Sequence, residues 1–114
     1  MFTTVVQFHM PAAITYAEAS ARFQSSAPKY KGIAGLVRKH YILSEDGKTA
    51  GGIYHWQSRA DAERVYNDAW RDFVTKLYGV APVVQWLETP VIVDNVSGEI
   101  IVAADRGAEG RKAG

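Results

Sequence analysis

Lys39 and Tyr54 are the two residues whose types and placement in this sequence could do chemistry together. They lie on opposite arms of the stretch GLVRKHYILSEDGKTAGGIYHW, residues 35–56. Asp46-Gly47 at its middle is a two-residue hairpin signal, because both central residues of a type I′ turn need positive φ. Pairing about that turn sets Lys39 against Tyr54, Tyr41 against Gly52 and Val37 against Trp56, all on one face. A cation a few ångströms from a phenol lowers the phenol pKa and favours a phenolate or a strong donor. A buried ammonium is costly on its own, so Lys39 must snorkel, pair or line a wet pocket. Tyr54 and Lys39 are therefore the candidate catalytic pair, with Tyr41, Trp56, Trp70, Tyr66 and Phe8 as candidate walls for a small aromatic ligand. The plainer reading is that these rings are simply core and Lys39 reaches the end of the sheet.

The three histidines, His9, His40 and His55, offer less. No two share helical ligand spacing, and a metal site would need them to converge from three strands. Alternation does send all three to one face, the one opposite Lys39; surface or interface histidines are the plainer reading there and a metal site the sharper one, and no metal is expected. His9 enters the candidate pocket only if its strand carries a bulge. There is no phosphate loop, zinc helix or Gly-x-Ser-x-Gly elbow. Cysteine is absent, which excludes disulfides, thiolate ligands and a Cys nucleophile.

A frame must position these groups. The chain has 114 residues, enough for one domain, and 47% are hydrophobic, a globular proportion. A net charge of +1, with no basic run longer than two residues, gives no case for nucleic acid or an anionic membrane as partner. No apolar run is long enough to span a bilayer, and the N-terminus lacks a signal-peptide pattern, so a cytoplasmic location is expected.

Thr3 to His9 is β-branched and alternates, a first strand stopped by Pro11. Thr15 to Glu18 has capping-box spacing, and Tyr16, Ala19, Ser20, Phe23 and Ala27 form a helical stripe. Pro28 marks the end of that helix, leaving 29–34 as a loop. After the hairpin, Ser58 caps a second helix. Its apolar face is Ala62, Val65, Tyr66, Ala69, Trp70, Phe73 and Leu77, and Gly79 closes it. Pro82 to Asp94 reads as strand four, with Pro90 at an edge or bulge. Glu99 to Ala103 could form a further short strand, and DRGAEGRKAG a frayed tail. Residues 1–95 are thus the domain and 96–114 an extension.

The order β-α-β-β-α-β predicts an α+β, ferredoxin-like fold: a four-stranded antiparallel sheet with two helices on one face. The side chains of Val6, Phe8, Val37, Lys39, Tyr41, Tyr54, Trp56 and Trp86 would lie beneath Tyr66, Trp70 and Phe73. The bare face would carry Val5, Leu36, Ile42, Ile53, Val83 and Leu87, which predicts a two-fold homodimer packed sheet to sheet. Gly51 and Gly52 interrupt a strand, for a bulge, a ligand's approach, or room for Tyr41 to lie flat.

Gln7-x-His9, Gly35-Leu36, Lys39, Ser44-Glu45 and above all AGGIY (50–54) resemble the YdhR-type monooxygenase family, from about Val5 to Asn95. That family belongs to the dimeric α+β barrel superfamily, with the antibiotic-biosynthesis monooxygenases. The resemblance implies a homodimer and a pocket between sheet and helices in each subunit. It also implies oxidation of a small aromatic or quinol-like compound by O₂, with no metal or flavin cofactor. Such a protein need only exclude water, hold the ring and stabilise an anion. Rivals on the same barrel are an isomerase, lyase or dehydratase, and a non-catalytic small-molecule-binding module. Haem binding ranks last, since neither predicted helix carries a histidine.

Overall fold

Strand β1 (Phe2–His9) is flanked on both sides, by β3 (Thr49–Trp56) and by β4 (Val83–Glu88), and β2 (Leu36–Leu43) completes the sheet outside β3. In this computed structural model, which describes residues 1–104, the order β2-β3-β1-β4 is antiparallel throughout. Phe2, Thr4, Val6 and Phe8 are buried on one side of β1, while Thr3, Val5 and Gln7 are half-buried and His9 exposed on the other. The strand pairs without a bulge along its whole length. Helices α1 (Tyr16–Tyr30), α2 (Arg59–Val65) and α3 (Asp68–Tyr78) close the core over the first side. This is the ferredoxin-like α+β fold that the element order predicts.

Five local expectations need correction. Helix α1 opens with the expected capping box, Thr15 Oγ1 accepting from Glu18 N at 3.1 Å and Glu18 Oε1 from Thr15 N at 3.2 Å. It does not stop at Pro28 but continues to Tyr30. Proline there removes one i→i−4 bond. Burial of Tyr30, whose hydroxyl accepts from Trp70 Nε1 at 2.9 Å, offsets that loss.

The second helix is two. Asn67 interrupts it as an N-cap, its side chain accepting from Trp70 N at 2.9 Å. The hairpin keeps its predicted register, Lys39 opposite Tyr54 and Tyr41 opposite Gly52. Its turn, however, closes through Gly47 N donating to Ser44 O at 2.9 Å, so Glu45 and Asp46 are the central residues. Gly47 holds φ +74°, and a Cβ there would strike the Ile14 carbonyl.

An irregularity between Leu36 and Arg38 pairs Leu36, not Val37, with Trp56. Leu36 therefore packs on the core and Val37 is exposed, the reverse of strict alternation. Finally, strand four ends at Glu88. Past Pro90 the chain forms a separate hairpin of β5 (Val91–Asp94) and β6 (Glu99–Val102). The proline cannot donate to the ladder, and the chain leaves the sheet there. The predicted tail, 105–114, lies outside the described residues.

The face away from the helices keeps Val83 at 49% and Leu87 at 45% exposure, with Ile53 also exposed. On the β5–β6 hairpin, Val91, Val93, Ile100 and Val102 share one exposed face.

Candidate functional site

Lys39 reaches in from β2 and ends against three aromatic faces. Its Nζ is 3.4 Å from the centroid of Tyr30, 3.8 Å from Tyr41 and 4.5 Å from Tyr54. Each ring comes from a different position: the last turn of α1, the same strand two residues on, and the facing strand β3. Among the described residues no carboxylate or carbonyl accepts a hydrogen bond from this amine. Burial without an acceptor drives its pKa from 10.5 down to about 7. Attraction to the ring faces opposes this only in part.

The glycines make this possible. A Cβ on Gly52 would come within 3.0 Å of Lys39 Cε and 3.1 Å of the Tyr54 ring, so the missing side chain gives these two room rather than Tyr41. A Cβ on Gly51 would overlap the Val6 carbonyl oxygen, so this glycine permits the close approach of β1.

The expected lowering of the Tyr54 pKa does not hold. Nζ lies over the ring face, and desolvation pushes the Tyr54 phenol well above its ordinary value, with neighbouring Tyr30 and Tyr66 adding to the shift. Tyr54 is a neutral donor. Burial also raises Tyr30, against the lowering effect of the Trp70 hydrogen bond, and Tyr41, against that of Ser26.

The other predicted residues divide into two layers. Phe8 and Tyr41 line the same small void as Lys39 and Tyr54. Phe8 stacks on Tyr78 at 4.1 Å between ring centroids, and Tyr41 on Phe23 at 4.7 Å. Trp56, Tyr66 and Trp70 stand behind this layer. Trp56 is fully buried, parallel to Tyr54, with Nε1 donating to Thr4 Oγ1 at 2.9 Å. Thr4 Oγ1 also hydrogen-bonds the Tyr66 hydroxyl at 2.7 Å. Trp70 is committed to Tyr30. His9 is on the opposite face of the sheet, exposed, with Nδ1 3.2 Å from Thr49 Oγ1, and contributes nothing to this site.

Sequence reasoning missed Tyr30, Ser26 and Tyr78 around the void, and Phe23 behind Tyr41. The signal for Tyr30 was present. It falls seven residues after Phe23, on the same helical stripe, and only Pro28 argued against carrying the helix that far.

The void itself holds about 10 Å³, at most one water. Tyr41, its hydroxyl 2.7 Å from Ser26 Oγ, separates it from a cleft of about 470 Å³ between the start of α1 and the hairpin turn. Phe23, Leu43, Ser20 and Glu45 line that cleft. A third opening, about 290 Å³, runs along the edge strand β2 and reaches Lys39 from outside.

No family model and no curated protein matches the sequence. Solved structures do. SnoaB, a cofactor-independent oxygenase from Streptomyces nogalater, is 18% identical with a TM-score of 0.58, over 77% of this chain and 91% of that one. The monooxygenase from ActVA-Orf6 of Streptomyces coelicolor, in complex with nanaomycin D, is 16% identical with a TM-score of 0.61, over 77% and 86%. A further antibiotic biosynthesis monooxygenase is 11% identical with a TM-score of 0.56, over 78% and 98%. At these identities the likeness establishes the ferredoxin-like α+β fold alone.

Proposed function

We propose that this chain is a cofactor-independent monooxygenase of YdhR-type affiliation, acting on a small aromatic or quinol-like compound beside Lys39 and Tyr54. The observation that carries this reading is the Lys39 amine: enclosed by three phenol rings, without an acceptor, and with a pKa brought down to about 7. A general base works best when its pKa lies near the operating pH. The fold shared with SnoaB, a cofactor-independent oxygenase, supports the same reading.

The substrate phenol enters from the 470 Å³ cleft, whose size suits a small ligand, as Tyr41 and Phe23 move aside. Lys39 takes the phenolic proton. The resulting ammonium is held over the ring faces and beside the phenolate it has made. Tyr54, kept neutral by burial, donates to the same oxygen. The electron-rich anion passes electrons to O₂. For a phenol with a free para position, one oxygen atom replaces the ring C–H as a quinone carbonyl and the other leaves as water. Substrate carbon is oxidised by four electrons and O₂ takes up four. We further propose a cytoplasmic homodimer formed through the bare sheet face. No helix among the described residues is long and apolar enough to cross a membrane.

The void of about 10 Å³ supports a second reading, a binding module or plain core, in which nothing turns over. Oxygen uptake with 1-naphthol under ¹⁸O₂ separates the two. Enzyme-dependent uptake, with one labelled oxygen in the quinone, is the expected result. Saturable binding of 1-naphthol with no uptake above the buffer blank sinks the oxygenase. Exchange of substrate protons without uptake points to the isomerase or lyase instead.

A further inference from the structure

We propose that Lys39 is also a nucleophile, forming an imine with anionic aromatic aldehydes that reach it through the cleft at the edge of β2. This goes beyond the oxygenase reading, since it needs neither O₂ nor a phenolic substrate.

The geometry carries the argument. The edge cleft, about 290 Å³, is lined by the rings of Tyr30 and Tyr41, by the basic residues Lys31 and Arg38, and by Lys39 itself. An aromatic ring can pack against Tyr30 or Tyr41 while an acid group meets Lys31 or Arg38, which brings a ring-borne aldehyde towards Nζ. The amine is free to react. It holds no hydrogen bond and no salt bridge among the described residues, and the groups facing it are Tyr30, Tyr41 and Tyr54, all phenols raised above their ordinary range. Gly52 leaves its chain space to move. Burial leaves a large fraction of the amine unprotonated at neutral pH, as imine formation requires.

The reaction balances without an outside oxidant or reductant. The Nζ lone pair attacks the carbonyl carbon, and the carbonyl oxygen takes a proton to give a carbinolamine. The nitrogen then loses its second proton, water leaves, and a C=N bond joins Lys39 to the aldehyde.

Pyridoxal 5′-phosphate is a suitable probe, being an aromatic aldehyde with an anionic group. The native protein is mixed with it near neutral pH, reduced with borohydride, digested and read by mass spectrometry. A reference peptide with one N-acetylated lysine shares the tube. The expected result is about tenfold or more adduct on Lys39 over the reference lysine and over Lys29, Lys31, Lys48 and Lys76. Lys39 labelling should level off just above neutral pH while the reference continues to rise. Adduct spread evenly over the lysines, or Lys39 labelling that tracks the reference, overturns the proposal. Propionaldehyde, which has no charge and no ring, tests the recognition. With Lys31→Ala/Arg38→Ala, labelling of Lys39 by the phosphate probe should fall several-fold while labelling by propionaldehyde stays. An equal fall in both, or none in either, overturns the anionic aldehyde as ligand. Loss of oxygen uptake with labelling intact would fail only the oxygenase reading.

Discussion

The Nζ of Lys39 lies 3.4 Å from the ring centroid of Tyr30, so this cation is held by the last residue of α1, beyond the proline that should have ended that helix. Sheet and helix are coupled at the amine. Three consequences concern this contact and the layer behind it.

Stability should depend on pH through Lys39. Its folded pKa, about 7, is below the unfolded value of 10.5. Between these values the unfolded chain binds the extra proton, so stability rises with pH, by on the order of 1 kcal/mol per unit. The tyrosines act in the opposite sense. Tyr54 and Tyr30 are raised in the folded state, so their contribution is full below pH 10 and is lost above it. Denaturant melts should show a maximum near pH 9 to 10. Lys39→Met should remove the rise below that maximum and leave the fall above it. A wild-type curve flat from pH 7 to 9 would contradict the buried amine.

Oxygen consumption should fall by about 10²- to 10⁴-fold in Lys39→Met, the usual worth of a general base. Tyr54→Phe should cost less, on the order of tenfold, since it removes one donor and leaves the base. The activity of the native protein should rise with pH through about 7, as the amine loses its proton. Stopped-flow single-turnover rates with 1-naphthol would separate these effects from binding. A Lys39→Met protein as fast as wild type would assign the base elsewhere.

The sheet was legible because its signals are local. Asp46-Gly47 set the hairpin register even though the turn centres one residue earlier, since both turn geometries leave Lys39 opposite Tyr54. Alternation along β1 put Phe8 inside and His9 outside correctly. What failed depends on tertiary contacts. The exchange of Leu36 and Val37 comes from an irregularity that no residue type announces. Pro28 hid Tyr30, because burial of the phenol, not helix propensity, decides where α1 ends. Asn67 could have been read as a cap, and was masked by a continuous apolar stripe. The three openings around Lys39 and Tyr41 depend on side-chain packing and have no counterpart in spacing.

Thr4→Val should be among the most destabilising isosteric changes in the chain. Thr4 is fully buried, and its one hydroxyl serves both Trp56 Nε1 and the Tyr66 hydroxyl. Valine keeps the volume and leaves two polar groups behind with fewer partners, at about 1–3 kcal/mol each. Urea denaturation should show a loss of roughly 2–4 kcal/mol with an unchanged m-value. Thr4→Ser keeps the hydroxyl and should lose about 1 kcal/mol, from the missing methyl. Equal losses for the two variants would mean that packing, not the hydrogen bonds, holds this layer.

The proposed dimer predicts a sharper response on the other side of the sheet. Ile53, Val83 and Leu87 are exposed there, and the buried Nε2 of His55 on that face has no hydrogen-bond partner among the described residues. A two-fold partner would cover the first three and could supply the fourth. Burial of apolar surface contributes roughly 25 cal/mol per Å², and a charge forced into such an interface is not repaid. Light scattering at micromolar concentration should therefore give twice the chain mass for the native protein and the single mass for Ile53→Asp/Leu87→Asp. The fold of the variant is checked by its near-ultraviolet signal from the inner rings, which the substitutions do not touch. The pKa of His55, which desolvation, the N-terminal amine and Arg38 lower in the single chain, should shift on dissociation and be visible by NMR. A native protein of single mass at that concentration would leave the bare face without its partner, and the two-fold packing would have to be abandoned.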